Sequence, residues 1–332
     1  MKHIHEFLLE STISSYPLQI LMRGNIGLTT KTEDFTRNIM NYLYDNYIRL
    51  VLIKGDGSYN TNKEVPKNRR KHIDFQYPIL NFTSQTHDFL EDSNATIYNK
   101  LNDYEISSDK KLFYQALDGI CQYIPKAVYS LDDIEDLQLP IIAKPSDGFS
   151  AQGIEKFDSY EDARNSDLQF DTWTECKDII REFRAFILNN KVIFISERIT
   201  NTKNDKSVGK KDPDEKIDLI YIDQEIDSFK YLDEINTILS QLKSKVNLDF
   251  YNIDLMLDAN DKLWVPEING APGIGPSHFY EIYKEWLKFA YDKEIDDKSD
   301  KDLYRLAKEH FNKIKDAYPD EYKYSLNPKK YS

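Results

Sequence analysis

Two carboxylates and an amide stand at strand spacing around residue 260. The run Asn252-Ile253-Asp254-Leu255-Met256-Leu257-Asp258-Ala259-Asn260-Asp261-Lys262-Leu263-Trp264-Val265-Pro266-Glu267-Ile268-Asn269 reads as two strands joined by a tight turn at Ala259–Lys262. With Asn260 and Asp261 at its centre, Asp254 lies directly across from Glu267. Asn269, two residues further on, points to the same face. Oxygen donors crowded in this way repel one another and lose hydration unless a hard cation lies between them. Mg²⁺ suits the set, because it takes one or two carboxylates and leaves the rest of its shell to phosphates or water. A solvent-facing acidic hairpin is the competing account. Pro266 cannot donate to a ladder, so the second strand is an edge there or lacks a partner.

Other elements must place these groups. Residues 17–55 read as strand, helix, strand: Leu18 to Met22, then Thr32 to Tyr47 with Phe35, Ile39, Tyr42 and Leu43 near one face, then Arg49 to Ile53. This is a small open α/β unit. The polar stretch Ser58 to Asp74, with basic Lys67 to Lys71, reads as a loop. Ser107-Ser108-Asp109-Lys110 reads as a helix start, with Leu112, Phe113, Ala116 and Leu117 as its apolar face. A strand at Pro140 to Lys144 leads to a loop holding Gly148 and Gly153. Glu182–Arg198 forms a hairpin turning at Asn189-Asn190. From about Asp292 the chain is highly charged, with an amphipathic helix Leu303 to Ile314, and reads as a packing appendage.

The 332 residues carry a formal net charge of −13, which repels phosphate backbones and argues against nucleic acid as a partner. No run approaches the ~20 apolar residues of a membrane span. The start, Met1-Lys2-His3-Ile4-His5-Glu6, has no apolar stretch ending in a cleavage site, so no secretory signal is expected. Cys121 and Cys176 are too few for a disulfide framework, which points to the cytoplasm. A homodimer is the default assembly.

After Asn269 comes Gly270-Ala271-Pro272-Gly273. Glu-x-Asn followed by Pro-Gly, with an Asp thirteen residues before the Glu, resembles the metal-binding signature of the ATP-grasp superfamily. Ile141-Ile142-Ala143-Lys144-Pro145-Ser146 through Ser150 to Gly153 resembles the corresponding stretch of D-alanine–D-alanine ligases. Arg184 to Arg198 resembles a strand pair of RimK-like glutamate ligases. The resemblance covers roughly residues 95–280 and departs from the pattern at Pro266. It implies an α/β (α+β) protein of ATP-grasp fold, carboxylate–amine ligase type, whose two α+β lobes sandwich ATP. The units would be residues 1–95 (N-terminal α/β domain), 96–174 (small lobe), 175–290 (large lobe with the metal site) and 291–332 (helical tail).

The resemblance also assigns roles. Asp254, Glu267 and Asn269 would hold Mg²⁺, as two ions, with Mn²⁺ able to replace it. Lys110 and Lys144 would neutralise the α/β-phosphates; Lys111 and Lys100 compete with Lys110. Ser150 and Gly153 belong to a loop folding over the phosphates. Glu175 would meet the adenine amino group, Cys176 and Asp178 would offer backbone groups, and Glu182 would bind ribose. Arg198 would hold phosphate or the acyl-phosphate oxygens, with Lys144 and Asn269 beside it in catalysis. A surface ion pair is the plainer account of Arg198. The expected activity is ATP-dependent, ADP-forming amide ligation through an acylphosphate, joining the carboxylate of an amino acid or peptide to an amine. A kinase on the same scaffold and a catalytically silent nucleotide-binding protein are the alternatives. Substrate choice is expected in the first 95 residues, in Thr200–Lys216 and after Gly273, where His278 lies.

Overall fold

The computed structural model of the chain describes residues 18–21, 50–53, 59–61, 76–82, 94–145, 153–167, 169–200, 219–272, 278–292 and 324–325. Within them three sheets follow one another along the sequence. The first contains β1 (Leu18–Leu21), β2 (Leu50–Ile53), β3 (Tyr59–Thr61), β4 (Ile79–Asn81) and β5 (Ile97–Tyr98), in the order β3-β2-β1-β4-β5. β3 is antiparallel to β2 and the remaining pairings are parallel. Leu18, Ile20, Ile79 and Leu80 are buried, as continuous apolar runs in a parallel sheet should be. The helix expected at Thr32–Tyr47 lies outside the described residues. The stretch expected as a loop from Ser58 contains a strand instead, because Tyr59 and Thr61 are good strand formers with β2 beside them.

Helix α1 (Lys110–Leu117) leads into the second sheet. The Asp109 carboxylate accepts the Leu112 N–H at 2.9 Å, which caps the helix where the sequence placed its start. The second sheet is antiparallel: β6 (Ala127–Val128), β7 (Ile141–Lys144), β8 (Glu155–Phe157) and β9 (Thr172–Glu175), in the order β6-β9-β7-β8. With α2 (Tyr160–Arg164) it encloses its own core of Val128, Ile134, Ile141, Ala143, Phe157 and Trp173.

The third sheet carries the hairpins. It comprises β10 (Ile179–Leu188), β11 (Lys191–Thr200), β12 (Leu219–Gln224), β13 (Phe250–Asp258), β14 (Leu263–Asn269) and β15 (Tyr324–Ser325), in the order β14-β13-β10-β11-β12-β15. Helices α3 (Leu232–Leu242) and α4 (His278–Tyr291) accompany this sheet. β10 and β11 turn at Asn189 and Asn190, whose φ values of 49° and 58° are the left-handed pair that a two-residue hairpin loop demands. The charged tail reaches this sheet through β15, which lies parallel to β12. Leu303 to Ile314 falls outside the described residues.

Period-two alternation sorts the faces of this sheet. Phe183, Ala185 and Ile187 on β10, with Ile253, Leu255 and Leu257 on β13, join Phe113 and Leu117 of α1 and Ile235, Ile238 and Leu242 of α3 in one buried cluster. Each of these Leu, Ile and Phe side chains contributes about 1.5–3 kcal/mol on burial. The intervening residues, Glu182 and Arg184, Asn252 and Asp254, therefore share the opposite face. Among the described residues no helix is long and apolar enough to cross a membrane.

Candidate active site

The β13–β14 hairpin sets the position of the carboxylates. Asp254 pairs with Glu267 and Asn252 with Asn269, the register expected from the sequence. The turn differs. Asp258 donates its N–H to the Lys262 carbonyl at 3.0 Å, so the loop is the three residues 259–261, with Asp261 left-handed at φ 63°. That loop pairs Leu257 with Leu263 and Met256 with Trp264. A register shift between Asp254 and Met256 then sets Leu255 against both Val265 and Pro266, which restores the Asp254–Glu267 pair. Pro266 thus sits in a bulge on the outermost strand, where no ladder donor is required. The N–H of neighbouring Val265 goes outward to the Tyr123 carbonyl at 2.8 Å.

Glu267 and Asp254 begin a polar row that crosses the sheet. Asp254 pairs with Arg184 on β10, Arg184 with Ser196 on β11, and Ser196 with Asp223 on β12. Arg184 grips Asp254 with two bonds, Nε to Oδ1 at 2.8 Å and Nη2 to Oδ2 at 3.1 Å. The Asn252 amide also donates to Asp254 Oδ1, at 3.2 Å. Ser196 donates to buried Asp223 at 2.8 Å. Neither Arg184 nor the Ser196–Asp223 pair was singled out from the sequence. The Asn189-Asn190 turn carried the signal, since it places Arg184 and Ser196 on the same face of adjacent strands.

Glu267 receives two cations from outside its sheet. Lys110 Nζ lies 3.9 Å from Oε2. Lys111 turns elsewhere, 6.0 Å from the Tyr129 ring, and Lys100 is exposed at the preceding turn, so Lys110 is the α1 lysine at the carboxylates. Lys144, at the end of β7, is buried and donates to the Tyr114 hydroxyl at 2.8 Å. Asn269 donates to Glu267 at 3.5 Å, a long contact. Burial, joined by the charge of Asp254, pushes the Glu267 carboxyl above its ordinary range, against the pull of both lysines. Burial lowers the Lys144 amine to about 8, although Glu267 opposes that.

The remaining expected residues spread along the same face and its neighbour. Residues 176–178 carry the chain from the second sheet to the third. Glu175 pairs with the Lys177 ammonium, which lies 4.2 Å from the Trp264 ring. Cys176 donates its N–H to the Pro140 carbonyl at 2.9 Å. The Asp178 carbonyl accepts the Ala259 N–H at 3.0 Å. Glu182 and Arg198 face each other across β10 and β11 in an ion pair of 3.1 Å. They lie one row, two residues, from the carboxylates; the guanidinium in the carboxylate row itself is Arg184. Arg198 Nε is buried without a partner. Gly153 has φ 72°, and a Cβ there would press on Pro145 Cγ at 3.2 Å. Ser150 and most of Thr200–Lys216 lie outside the described residues, as does the side chain of His278.

A latch holds the far end of β14. The Asn99 side chain accepts the N–H groups of Asp249 and Phe250 at 2.8 and 2.9 Å and donates to the Phe250 carbonyl. The Tyr104 hydroxyl meets the carbonyls of Asn81 and Gly270. A Cβ on Gly270 would lie 2.5 Å from the Tyr104 ring, so the residue after Asn269 must be glycine for this approach.

Among the described residues, no cluster of three or more His, Cys, Asp and Glu side chains could hold a metal. The set is two carboxylates and an amide. The donors are all oxygen, and Glu267 is a partly buried carboxylate facing a second one. Both features suit a hard divalent cation that brings its own phosphate or water ligands. Arg184 does not exclude it, because a carboxylate can accept about four hydrogen bonds or metal contacts.

No family model and no curated protein matches the sequence. Solved structures resemble the chain in fold. D-alanine–D-alanine ligase from Bacillus anthracis superposes with a TM-score of 0.55 at 17% identity, over 89% of this chain and 99% of that one. The ADP complex of N5-carboxyaminoimidazole synthetase from Staphylococcus aureus gives 0.54 at 12% identity, over 85% and 79%. N5-carboxyaminoimidazole ribonucleotide synthetase from Thermotoga maritima gives 0.52 at 12% identity, over 84% and 76%. At such identities the likeness is one of architecture, and by it the chain has the ATP-grasp fold.

Proposed function

We propose that the protein is an ATP-dependent, ADP-forming ligase that joins a carboxylate to an amine. The observation that carries this reading is the meeting of two lysines from outside the third sheet with its carboxylate row. Lys110 lies at Glu267, and Lys144 lies one hydroxyl away on Tyr114. A polyanion that also carries a divalent cation matches that pairing of charges. Asp254, Glu267 and Asn269 would hold Mg²⁺, which would supply neutralisation of phosphate charge there.

The chain's own residues do the remaining work. Lys110 and Lys144 neutralise phosphate charge at fixed positions, which a lysine held by buried neighbours does without reorganisation. Arg184, in the carboxylate row, keeps Asp254 oriented and presents a guanidinium toward the transferring phosphoryl group. Arg198 and Glu182 form the adjoining row, toward residues 176–178, where Glu175, Cys176 and Asp178 read the base and Glu182 the ribose. Ser150 and Gly153 belong to the segment that covers the phosphates. A substrate carboxylate takes the γ-phosphoryl group and ADP leaves; an amine then attacks the acyl carbon and phosphate departs, completing the amide. The carboxylate belongs to an amino acid or a peptide.

The test is the set of products. The protein would be incubated with Mg-ATP and pools of amino acids, peptides and amines, then followed by phosphorus NMR and mass spectrometry. ADP, phosphate and a product weighing acid plus amine less water support the ligase. A phosphoester would move the chain to the kinase class, and AMP with pyrophosphate would overturn the acylphosphate route.

A further inference from the structure

Tyr114 lies on α1 one turn after Lys110, at the (i, i+4) spacing that puts both on one face of the helix. It is buried. Its hydroxyl donates to the Pro266 carbonyl at 3.0 Å and accepts from Lys144 Nζ at 2.8 Å. A phenol has one proton, and here it points at Pro266, so the oxygen lone pairs face the ammonium. The Lys144 nitrogen also sits 5.0 Å from the centre of the Tyr114 ring. Burial pushes the phenol's own ionisation upward, so the hydroxyl stays neutral and keeps this orientation.

Three elements meet at that oxygen: α1, the lysine-bearing strand of the second sheet, and the carboxylate strand of the third. The bulge at Pro266 makes the meeting possible, since β14 is the sheet's edge there and its carbonyl is open to an outside donor. We infer that Tyr114 is a positioning residue that seats the Lys144 ammonium at a set distance from Glu267 and couples the two sheets across the nucleotide site. The inference rests on the nucleotide reading proposed above. It gives Pro266 a purpose as well: the residue that breaks the ladder presents the carbonyl that orients the tyrosine.

Tyr114→Phe keeps the ring and its packing and removes only the hydroxyl. Tyr251, also buried and with a hydroxyl that has no partner, supplies the control, Tyr251→Phe. Two measurements are made on each intact protein. The first is the pH profile of acylation of Lys144 in the nucleotide-free protein, read by mass spectrometry of its peptide. The second is Mg-ADP affinity by calorimetry, in the wild-type and Lys144→Met backgrounds. Loss of the acceptor leaves the ammonium less well solvated, so in Tyr114→Phe the midpoint moves below that of the wild type, while Tyr251→Phe matches the wild type. Mg-ADP binding weakens about tenfold, as expected for a lost hydrogen bond to a charged group. In the Lys144→Met background Tyr114→Phe adds no further loss.

A Tyr114→Phe acylation profile superposing on that of the wild type overturns the inference. A second, full loss of affinity in the Lys144→Met background does so as well, because the tyrosine would then act independently of the lysine. If the wild type itself binds no Mg-ADP, the nucleotide reading fails and takes the positioning role with it. That outcome is distinct, since it appears before any substitution.

Discussion

The two ends of the β13–β14 hairpin both carry acidic side chains, and they are treated in opposite ways. At the turn, Asp258 is buried and well supplied with donors: the N–H groups of Asn260 and Lys262 at 2.9 and 3.0 Å, and Trp264 Nε1 at 2.8 Å. Burial alone would raise its pKa, but the Trp264 and backbone hydrogen bonds outweigh that and hold the carboxyl below its usual range. At the other end Glu267 faces Asp254, and two lysines do not offset the cost of its burial. A carboxylate satisfied by its own chain is a structural group. One that its own chain leaves short of compensation is the kind of group found at functional sites, and the reading proposed above rests on that difference.

Substitution at the two ends should therefore split activity from stability. Glu267→Gln is expected to lower ADP formation by at least about a hundredfold, the scale of losing a charge placed for the transition state. The same change should raise the melting temperature of the nucleotide-free protein at pH 8. The sign follows from the raised folded-state pKa. The unfolded chain ionises Glu267 more readily, so its contribution falls as pH rises through the window between the two values. Glutamine has no such cost, and its advantage should vanish at pH 4, below the unfolded value. A Glu267→Gln protein that melts lower than wild type at pH 8 would mean that Glu267 belongs with Asp258, as a structural carboxylate.

Asp258→Asn should do the reverse. Losing the charge behind three hydrogen bonds costs about 1.5–3 kcal/mol, read from the denaturant midpoint, with Mg-ADP affinity unchanged. Its pH signature is opposite to that of Glu267. A depressed folded-state pKa gives stability that is present above the unfolded value, near 3.9, and is lost as pH falls through the lower folded one. The wild type should thus lose stability on acidification below about pH 4 more steeply than Asp258→Asn. Parallel curves for the two proteins would remove Asp258 from the acid transition.

Much of this contrast is legible in the sequence, though by a route that needed two offsetting features. A two-residue turn at Asn260-Asp261 puts Asp254 across from Glu267. The real turn has three residues, and the bulge at Val265-Pro266 restores the pairing. Strand parity carried the result, because either feature alone would have rotated one carboxylate to the core face. The bulge was announced only as a misplaced proline. Lys110 could be placed at a helix start from its Asp109 cap, but its choice over Lys111 depends on which face of α1 packs inward. The contacts made by Tyr114 and Arg184 were beyond reach for a different reason. Their partners, Pro266 and Asp254, are 152 and 70 residues away, and no local pattern records a contact made by the packing of separate elements. The first sheet and the tail gave the least. Tyr59–Thr61 and Tyr324–Ser325 are three- and two-residue strands, each paired to a longer neighbouring strand.

The smallest expected effect lies at the tip of the turn, and it tests whether the two ends are independent. Asp261 pairs with the Lys230 ammonium and accepts from the Tyr231 hydroxyl, and both charged partners are exposed. Lys230 holds its carboxyl below the usual range, but water and salt screen such a pair, and exposed pairs contribute little. Asp261→Asn removes the charge while keeping a residue that tolerates the left-handed φ of 63°. Melting temperature and Mg-ADP affinity should both match wild type within the error of each measurement. The hairpin is stiffened between its ends by Leu257, Leu263 and Val265 in the core, so a change at the tip has no soft path to Glu267. A fall in Mg-ADP affinity without a fall in stability would show that the charge of the turn is felt at the carboxylate row. The acidic hairpin would then have to be treated as one electrostatic unit rather than as two ends with different tasks.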